Sequence, residues 1–211
     1  LAEKMKKYSE ARGVRFNLGV SFEPEKMANK YDKILITTPG PLVDKIVDRK
    51  IMPEINYLWS QTLILELKNS LMDSYWLNIL EKNWPFLVAV EHTQMVEKQH
   101  YGGKTVLYLG NYLENNHEQL KLNDKEVSEI YLPFLKKINS KFSKDWIISK
   151  NLFRRPYAQP VFPTNYSELL NQVPTRMDKY YFANMSMVYP FDRGTNYAVK
   201  MGEEIAKRIL N

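Results

Sequence analysis

The residues best suited to hold a ligand stand at two turns. One is Arg193-Gly194-Thr195-Asn196, which opens a stretch of helical period. Unpaired backbone N–H groups and the positive end of a helix dipole at such an entrance suit a phosphate, a carboxylate or the electron-rich edge of a reduced flavin. Arg193 adds a guanidinium that can stabilise an anion or hold an acidic substrate group, although an exposed structural arginine is the competing reading. The other turn is Thr37-Thr38-Pro39-Gly40, where a short apolar run ends as a nucleotide-domain strand does at the ligand-facing edge of its sheet. Three histidines, His92, His100 and His117, lie on different elements without metal-ligand spacing, so no metal site is expected. His92 follows Glu91 at the end of a predicted strand and could line a pocket. Neither a G-x-S-x-G elbow nor a P-loop occurs, and no catalytic residue is assigned.

The elements that must position these turns are read from periodicity. Tyr180-Tyr181-Phe182-Ala183 is a short buried strand, and Pro190 and Gly194 punctuate the loop after it. Asp192 or Thr195 can cap a helix from about Thr195. On that helix Ala198, Gly202 and Ala206 leave one face nearly bare, and Met201, Ile205 and Ile209 form an adjoining apolar stripe. A bare face lets a helix lie close to a sheet or a ligand; plain packing is the alternative.

Upstream, Ala2 to Arg12 is an amphipathic helix stopped by Gly13. Val14, Phe16, Leu18, Val20 and Phe22 alternate with polar residues as a strand with one buried face. A turn from Pro24 to Lys30 leads to the strand at Ile34. Past Pro41 the pattern predicts helices over 42–51 and from Pro53 to about Trp59. Strands follow over 63–67, 86–93 and 104–109, an antiparallel sheet. The longest helix starts at Asn123, with Glu126 completing a capping box, and runs to about Phe142. Its expected buried side is Val127, Ile130, Phe134, Ile138 and Phe142, with a kink at Pro133. A strand over 145–150, an extended Pro-rich stretch over 152–163 and a short helix over 165–172 complete the chain.

With 211 residues, 44% apolar and 26% charged, the chain has the composition of a soluble globular protein. The absence of cysteine excludes disulfides, thiolate metal sites and cysteine nucleophiles. No apolar run approaches a membrane span and no signal-peptide pattern opens the chain, so the expected compartment is the cytoplasm. The net charge of +6 permits anionic partners, but the lysines scatter over solvated helix faces and no nucleic-acid partner is expected.

The run YYFANMSMVYPFDRGTNYAVKMGEEIAKRIL resembles the C-terminal flavin-contacting segment of the FAD-dependent amine oxidase and protoporphyrinogen oxidase-like oxidoreductases, a strand leading to a G-T-x-x-A-x-x-x-G helix. Val14 to Val20 and Asp32 to Pro39 are similar to two further pieces of that family, and VAVEHTQM, HYGGKTVLYLGNYL and RRPYAQPVFPTNY to its substrate domain. The resemblance implies a mixed α/β fold in which part of an FAD/NAD(P)-binding domain, residues 1–45 and 176–211, flanks an antiparallel-sheet substrate domain with helices, residues 46–175. It implies FAD as cofactor, contacted by Val20, Thr37, Thr38, Pro39, Asn184, Arg193, Gly194, Thr195, Asn196 and Ala198. Ordinary strand core is the competing reading for the first four. A small organic molecule would be oxidised by hydride transfer, or isomerised, and a homo-oligomer is compatible. Two departures stand out. The family's G-x-G-x-x-G unit is absent, which is expected to lie in a longer parent chain, and Asn184-Met185 replaces the family's Gly-Asp or Gly-Glu. The rival reading is a non-catalytic binding module acting through its basic surface or a protein partner. A start codon at Leu1 would favour that module.

Overall fold

The computed structural model describes residues 2–210; Leu1 and Asn211, the outer limits of the expected cofactor-binding pieces, lie outside the described residues. Along the chain come α1 (Ala2–Glu10), α2 (Pro24–Met27), β1 (Ile34–Ile36) and α3 (Gly40–Val47). Next are β2 (Asn56–Leu67), β3 (Trp76–Asn78), β4 (Val88–Glu91), β5 (Thr105–Leu113), α4 (Asp124–Ile138) and β6 (Ile147–Val161). Last come α5 (Tyr166–Asn171), β7 (Arg176–Met177), β8 (Tyr180–Phe182) and α6 (Thr195–Leu210). The class is mixed α/β. Among the described residues no helix is long and apolar enough to cross a membrane.

Contacts divide the chain into two units, unit 1 being residues 1–53 with 167–211 and unit 2 residues 54–166. The junctions fall at 53/54 and 166/167, where 45/46 and 175/176 were expected. Side chains explain the shift on each side. Asp44 Oδ1 accepts hydrogen bonds from the backbone N–H of Ile51 and Met52, both at 2.9 Å, and Met52 and Val173 are buried in the core of unit 1.

Unit 1 is built on a three-stranded sheet of order β1-β8-β7. β1 and β8 run parallel, with Ile34, Leu35 and Ile36 opposite Tyr180, Tyr181 and Phe182. Alternation on β8 sends Tyr180 and Phe182 toward Val43 of α3, and Tyr181 and Ala183 toward Met201, Ile205 and Ile209 of α6. The stripe of α6 thus packs on the sheet. Ala198, Gly202 and Ala206 face solvent, and a Cβ on Gly202 would meet nothing within 4 Å. Lys33 Nζ donates to the carbonyl of Ile209 near the C-terminal end of α6, where a cation is favoured.

The strand expected over Val14 to Phe22 does not form. Residues 14–22 hold a turn with Gly19 at φ +73°, and Val14, Phe16, Leu18 and Val20 are 48, 41, 74 and 61% exposed. Alternation marks a strand only where another strand pairs with it, and this stretch has no partner strand among the described residues. The expected turn over 24–30 is instead α2 followed by a 3-10 turn, Ala28–Lys30. α1 forms as expected but buries no residue.

Unit 2 is an antiparallel sheet of order β3-β4-β5-β2-β6 with α4 across one face. Leu63, Leu65 and Leu67 of β2, Leu107 and Leu109 of β5, Phe86, and Val127, Tyr131 and Leu135 of α4 form a closed core. The helix expected from Pro53 to Trp59 does not form, and Asn56 to Trp59 instead open β2. There Asn56, Tyr57 and Leu58 pair with Val161, Pro160 and Gln159, so tertiary pairing overrides local pattern. The stretches 145–150 and 152–163 belong largely to one strand, β6, with a register shift opposite Leu58 and Ser60, where Tyr157 takes φ +57°. The capping box of α4 is present, Asn123 Oδ1 accepting from Glu126 N at 3.0 Å and Glu126 Oε2 from Asn123 N at 2.8 Å. α4 ends at Ile138 and buries Val127, Ser128, Tyr131, Leu132 and Leu135, leaving Ile130 exposed. The expected side is largely the one that packs: Val127 is buried, Phe134 and Ile138 pack against the core and Phe142 is buried beyond the helix end, with Tyr131 and Leu135 added beside them.

Candidate functional site

The candidate site of unit 1 is the carboxyl edge of the parallel pair β1 and β8. The last ladder contact joins Ile36 and Phe182, and Ala183 N donates to Ile36 O at 3.1 Å. Two residues beyond this pair, on neighbouring strands, stand Thr38 and Asn184. Adjacent strands lie about 4.8 Å apart, so the two strand ends are close. In parallel sheets this edge is where ligands bind, because the ladder stops and helices begin there. Pro39 is the N-cap residue of α3, and the buried Gly40 is its first residue.

Each strand end carries a buried polar atom without a hydrogen bond, Thr38 Oγ1 on one and Asn184 Nδ2 on the other. Asn184 is 5% exposed. Its Oδ1 accepts from the backbone N–H of Ser186 at 3.0 Å and from Ser186 Oγ at 2.6 Å, capping the 3-10 turn Met185–Val188. An enclosed donor with no acceptor costs about 1–3 kcal/mol. Such atoms fit a ligand that brings oxygen to this edge, an FAD among them. A cavity of about 870 Å³ near the same edge is lined by Thr38, Tyr180, Leu42, Lys45 and the 21–25 stretch.

The second expected turn enters α6 through a cis Tyr189–Pro190 peptide. Phe191 and Tyr197 stack there, with centroids 4.6 Å apart and planes at 11°. Arg193 N donates to Asp192 Oδ1 at 2.8 Å, and Ala198 N to Gly194 O at 3.0 Å. The side chain of Asn196 lies over Gly194: an added Cβ would sit 2.5 Å from Asn196 Oδ1. A smaller cavity of about 170 Å³ is lined by Met187, Phe191, Tyr197, Lys200 and Glu204 with their neighbours.

Of the expected ligand residues, Thr37, Thr38, Pro39 and Asn184 share the strand-end edge. Arg193, Gly194, Thr195 and Asn196 group at the α6 entrance. Ala198 faces solvent on the bare side of α6, and Val20 sits exposed in the stretch that is not a strand.

Unit 2 contains polar groups that spacing did not reveal. Gln61 is fully buried; its Nε2 donates to Gln119 Oε1 at 2.8 Å and to Tyr131 Oη at 2.9 Å. Tyr131 donates to Gln119 Oε1 at 2.8 Å, and Arg154 donates through Nε to Gln61 Oε1 and through Nη2 to Gln119 O, both at 2.6 Å. Burial pushes the Tyr131 phenol above its ordinary pKa and pulls the Arg154 guanidinium below its own. Glu91 is likewise fully buried, held by Ser70 Oγ, Gln94 Nε2 and the backbone N–H groups of Leu71 and Met72. A Gln in the strand run at 61 and a Tyr among the apolar residues of α4 at 131 were the available signal for the first group. His92 Nε2 lies 2.8 Å from Tyr101 Oη and its ring meets Tyr108 edge-on at 5.8 Å. Burial, then Tyr101 and Tyr75, push the Tyr108 phenol up. Among the described residues no group of three His, Asp or Glu side chains could hold a metal ion.

No protein-family model and no curated protein sequence matches this chain. Solved structures do. A protein of Exiguobacterium sp. 255-15, provisionally assigned as a protoporphyrinogen oxidase, superposes with a TM-score of 0.68 at 13% identity over 85% of this chain and 41% of its own. Reduced UDP-galactopyranose mutase gives 0.66 at 16% identity over 85% and 42%. The chain therefore spans about two fifths of the length of the structures it matches, and at these identities the likeness is one of fold.

Proposed function

We propose that this chain is the substrate-binding and C-terminal part of an FAD-dependent oxidoreductase acting on a small organic molecule. The observation that carries the reading is the pair of orphaned polar atoms, Thr38 Oγ1 and Asn184 Nδ2, at adjacent parallel strand ends. Two findings support it. The closing segment resembles the amine oxidase and protoporphyrinogen oxidase-like family, and one structural neighbour bears a protoporphyrinogen oxidase name.

A bound FAD would supply the hydride acceptor, which no side chain of this chain can replace. In this reading unit 1 holds the cofactor: Thr37, Thr38, Pro39 and Asn184 meet it at the strand ends, and Arg193 to Asn196, with Ala198, meet it along α6. The dipole and the guanidinium there stabilise negative charge. Val20 belongs to the same cofactor surface. Unit 2 provides the substrate surface. On the sheet face opposite α4, Trp76 on β3 and Phe153 on β6 are 52 and 50% exposed and Tyr108 on β5 is half-buried, aromatic surface that suits a planar or apolar molecule.

The test is the visible spectrum of the purified intact gene product. Flavin absorption bands that are lost in Gly194→Trp support the reading. A colourless protein that takes up no added FAD refutes it.

A further inference from the structure

Resting on the cofactor reading above, we propose that Asn184 and Thr38 form a donor pair that selects an oxygen acceptor, a phosphate oxygen of the dinucleotide. The orientation of the Asn184 carboxamide is fixed by its own cap. The backbone N–H of Ser186 can only donate, so the atom facing it must be Oδ1, and Nδ2 takes the other side. That nitrogen carries two hydrogens, accepts nothing and lacks a partner in its buried position. Its complement is therefore an oxygen that needs no hydrogen of its own.

The polarity is the reverse of a carboxylate's. An Asp or Glu at this strand end accepts hydrogen bonds from ligand hydroxyls and repels anions; the Asn184 amide donates and accommodates negative charge. Thr38 Oγ1, two residues past the end of the partner strand, is a second enclosed hydroxyl without a hydrogen bond at the same edge. No acidic side chain takes part in the hydrogen bonds of Asn184 or Ser186. The accepting oxygen belongs either to the phosphates or to a carbonyl of the flavin ring, and the two sources separate on ligands that lack one of them.

Asn184→Asp is the informative change, because Asp is as good a cap as Asn and preserves the bond to Ser186 while replacing the donor with an anion. The dissociation constants of FAD, FMN and riboflavin are measured by flavin fluorescence on the intact gene product, its Asn184→Asp variant and Thr38→Val. The proposal expects Asn184→Asp to weaken FAD and FMN about tenfold or more, the scale of one charge-assisted hydrogen bond, while riboflavin is unchanged. Thr38→Val shifts the same two ligands by a smaller factor. Equal weakening of all three ligands supports the donor pair and moves its acceptor to the ring carbonyls. Unchanged or tighter FAD binding by a folded Asn184→Asp overturns the proposal while leaving the flavin reading intact. Should that variant lose its melting transition, an unaltered FAD constant in Thr38→Val overturns it instead. A wild-type protein that binds none of the three ligands defeats the cofactor reading and this proposal with it.

Discussion

In unit 2 the buried polar side chains Gln61 and Glu91 are each met by several partners, whereas in unit 1 the buried Asn184 carboxamide and Thr38 hydroxyl each keep one atom with none. The apolar side chains divide similarly. The sheet of unit 2 closes a continuous core under α4, while unit 1 leaves Val14, Phe16, Leu18 and Val20 in solvent. The contrast locates function better than any single residue. Satisfied polar groups fix a scaffold, and unsatisfied ones gathered at one sheet edge mark where something else supplies the missing bonds. Unit 2 also encloses polar atoms of this kind, Thr105 Oγ1 on β5 among them, but they are not gathered at one sheet edge.

The contrast can be broken most forcefully in the core of unit 2. Leu65→Ala removes a fully buried side chain and is expected to cost about 2–5 kcal/mol by chemical denaturation. A cost under about 1 kcal/mol would mean that this core is not closed. Glu91→Ala leaves the N–H groups of Leu71 and Met72 and the hydroxyl of Ser70 without their acceptor, and is expected to cost about 2–3 kcal/mol.

Tyr131→Phe is expected to cost about 1–2 kcal/mol at neutral pH, since its hydroxyl joins Gln61 to Gln119. It should also alter the alkaline profile. The folded pKa of Tyr131 is raised, so its contribution is fully present below the ordinary tyrosine value and is lost as pH rises through the folded one. Melting temperature measured from pH 8 to 11 should therefore fall less steeply in the variant than in the parent, and parallel curves would deny the shift. Smallest of all, Leu18→Ser in unit 1 should change stability by no more than about 0.5 kcal/mol, because that side chain is 74% exposed. A loss comparable to Leu65→Ala would show that the 14–20 stretch is buried after all.

Much of this architecture was readable from local pattern. The capping box at Asn123 and Glu126, the strand and helix of the closing segment, and the antiparallel pairing of β4 and β5 follow from residue chemistry within a few positions. The failures have a common cause. Val14 to Phe22 alternates correctly but has no strand beside it, and Pro53 to Trp59 looks helical but pairs with β6; in both, partners distant in sequence decide. On α4 the departure is confined to Ile130, left 39% exposed, and to the inward Tyr131, whose hydroxyl meets Gln61. Of the candidate site, the positions of Thr38 and Asn184 on strand ends were legible. That both would be enclosed with an unpaired atom was not, since that depends on every neighbour in space.

The central claim is that unit 1 contributes to a flavin site, and its most direct test is release and identification. The intact gene product is denatured and the supernatant analysed by chromatography and mass spectrometry. The account predicts FAD near one equivalent per chain. A supernatant free of flavin, from a protein that also fails to take up FAD on refolding with it, would contradict the account.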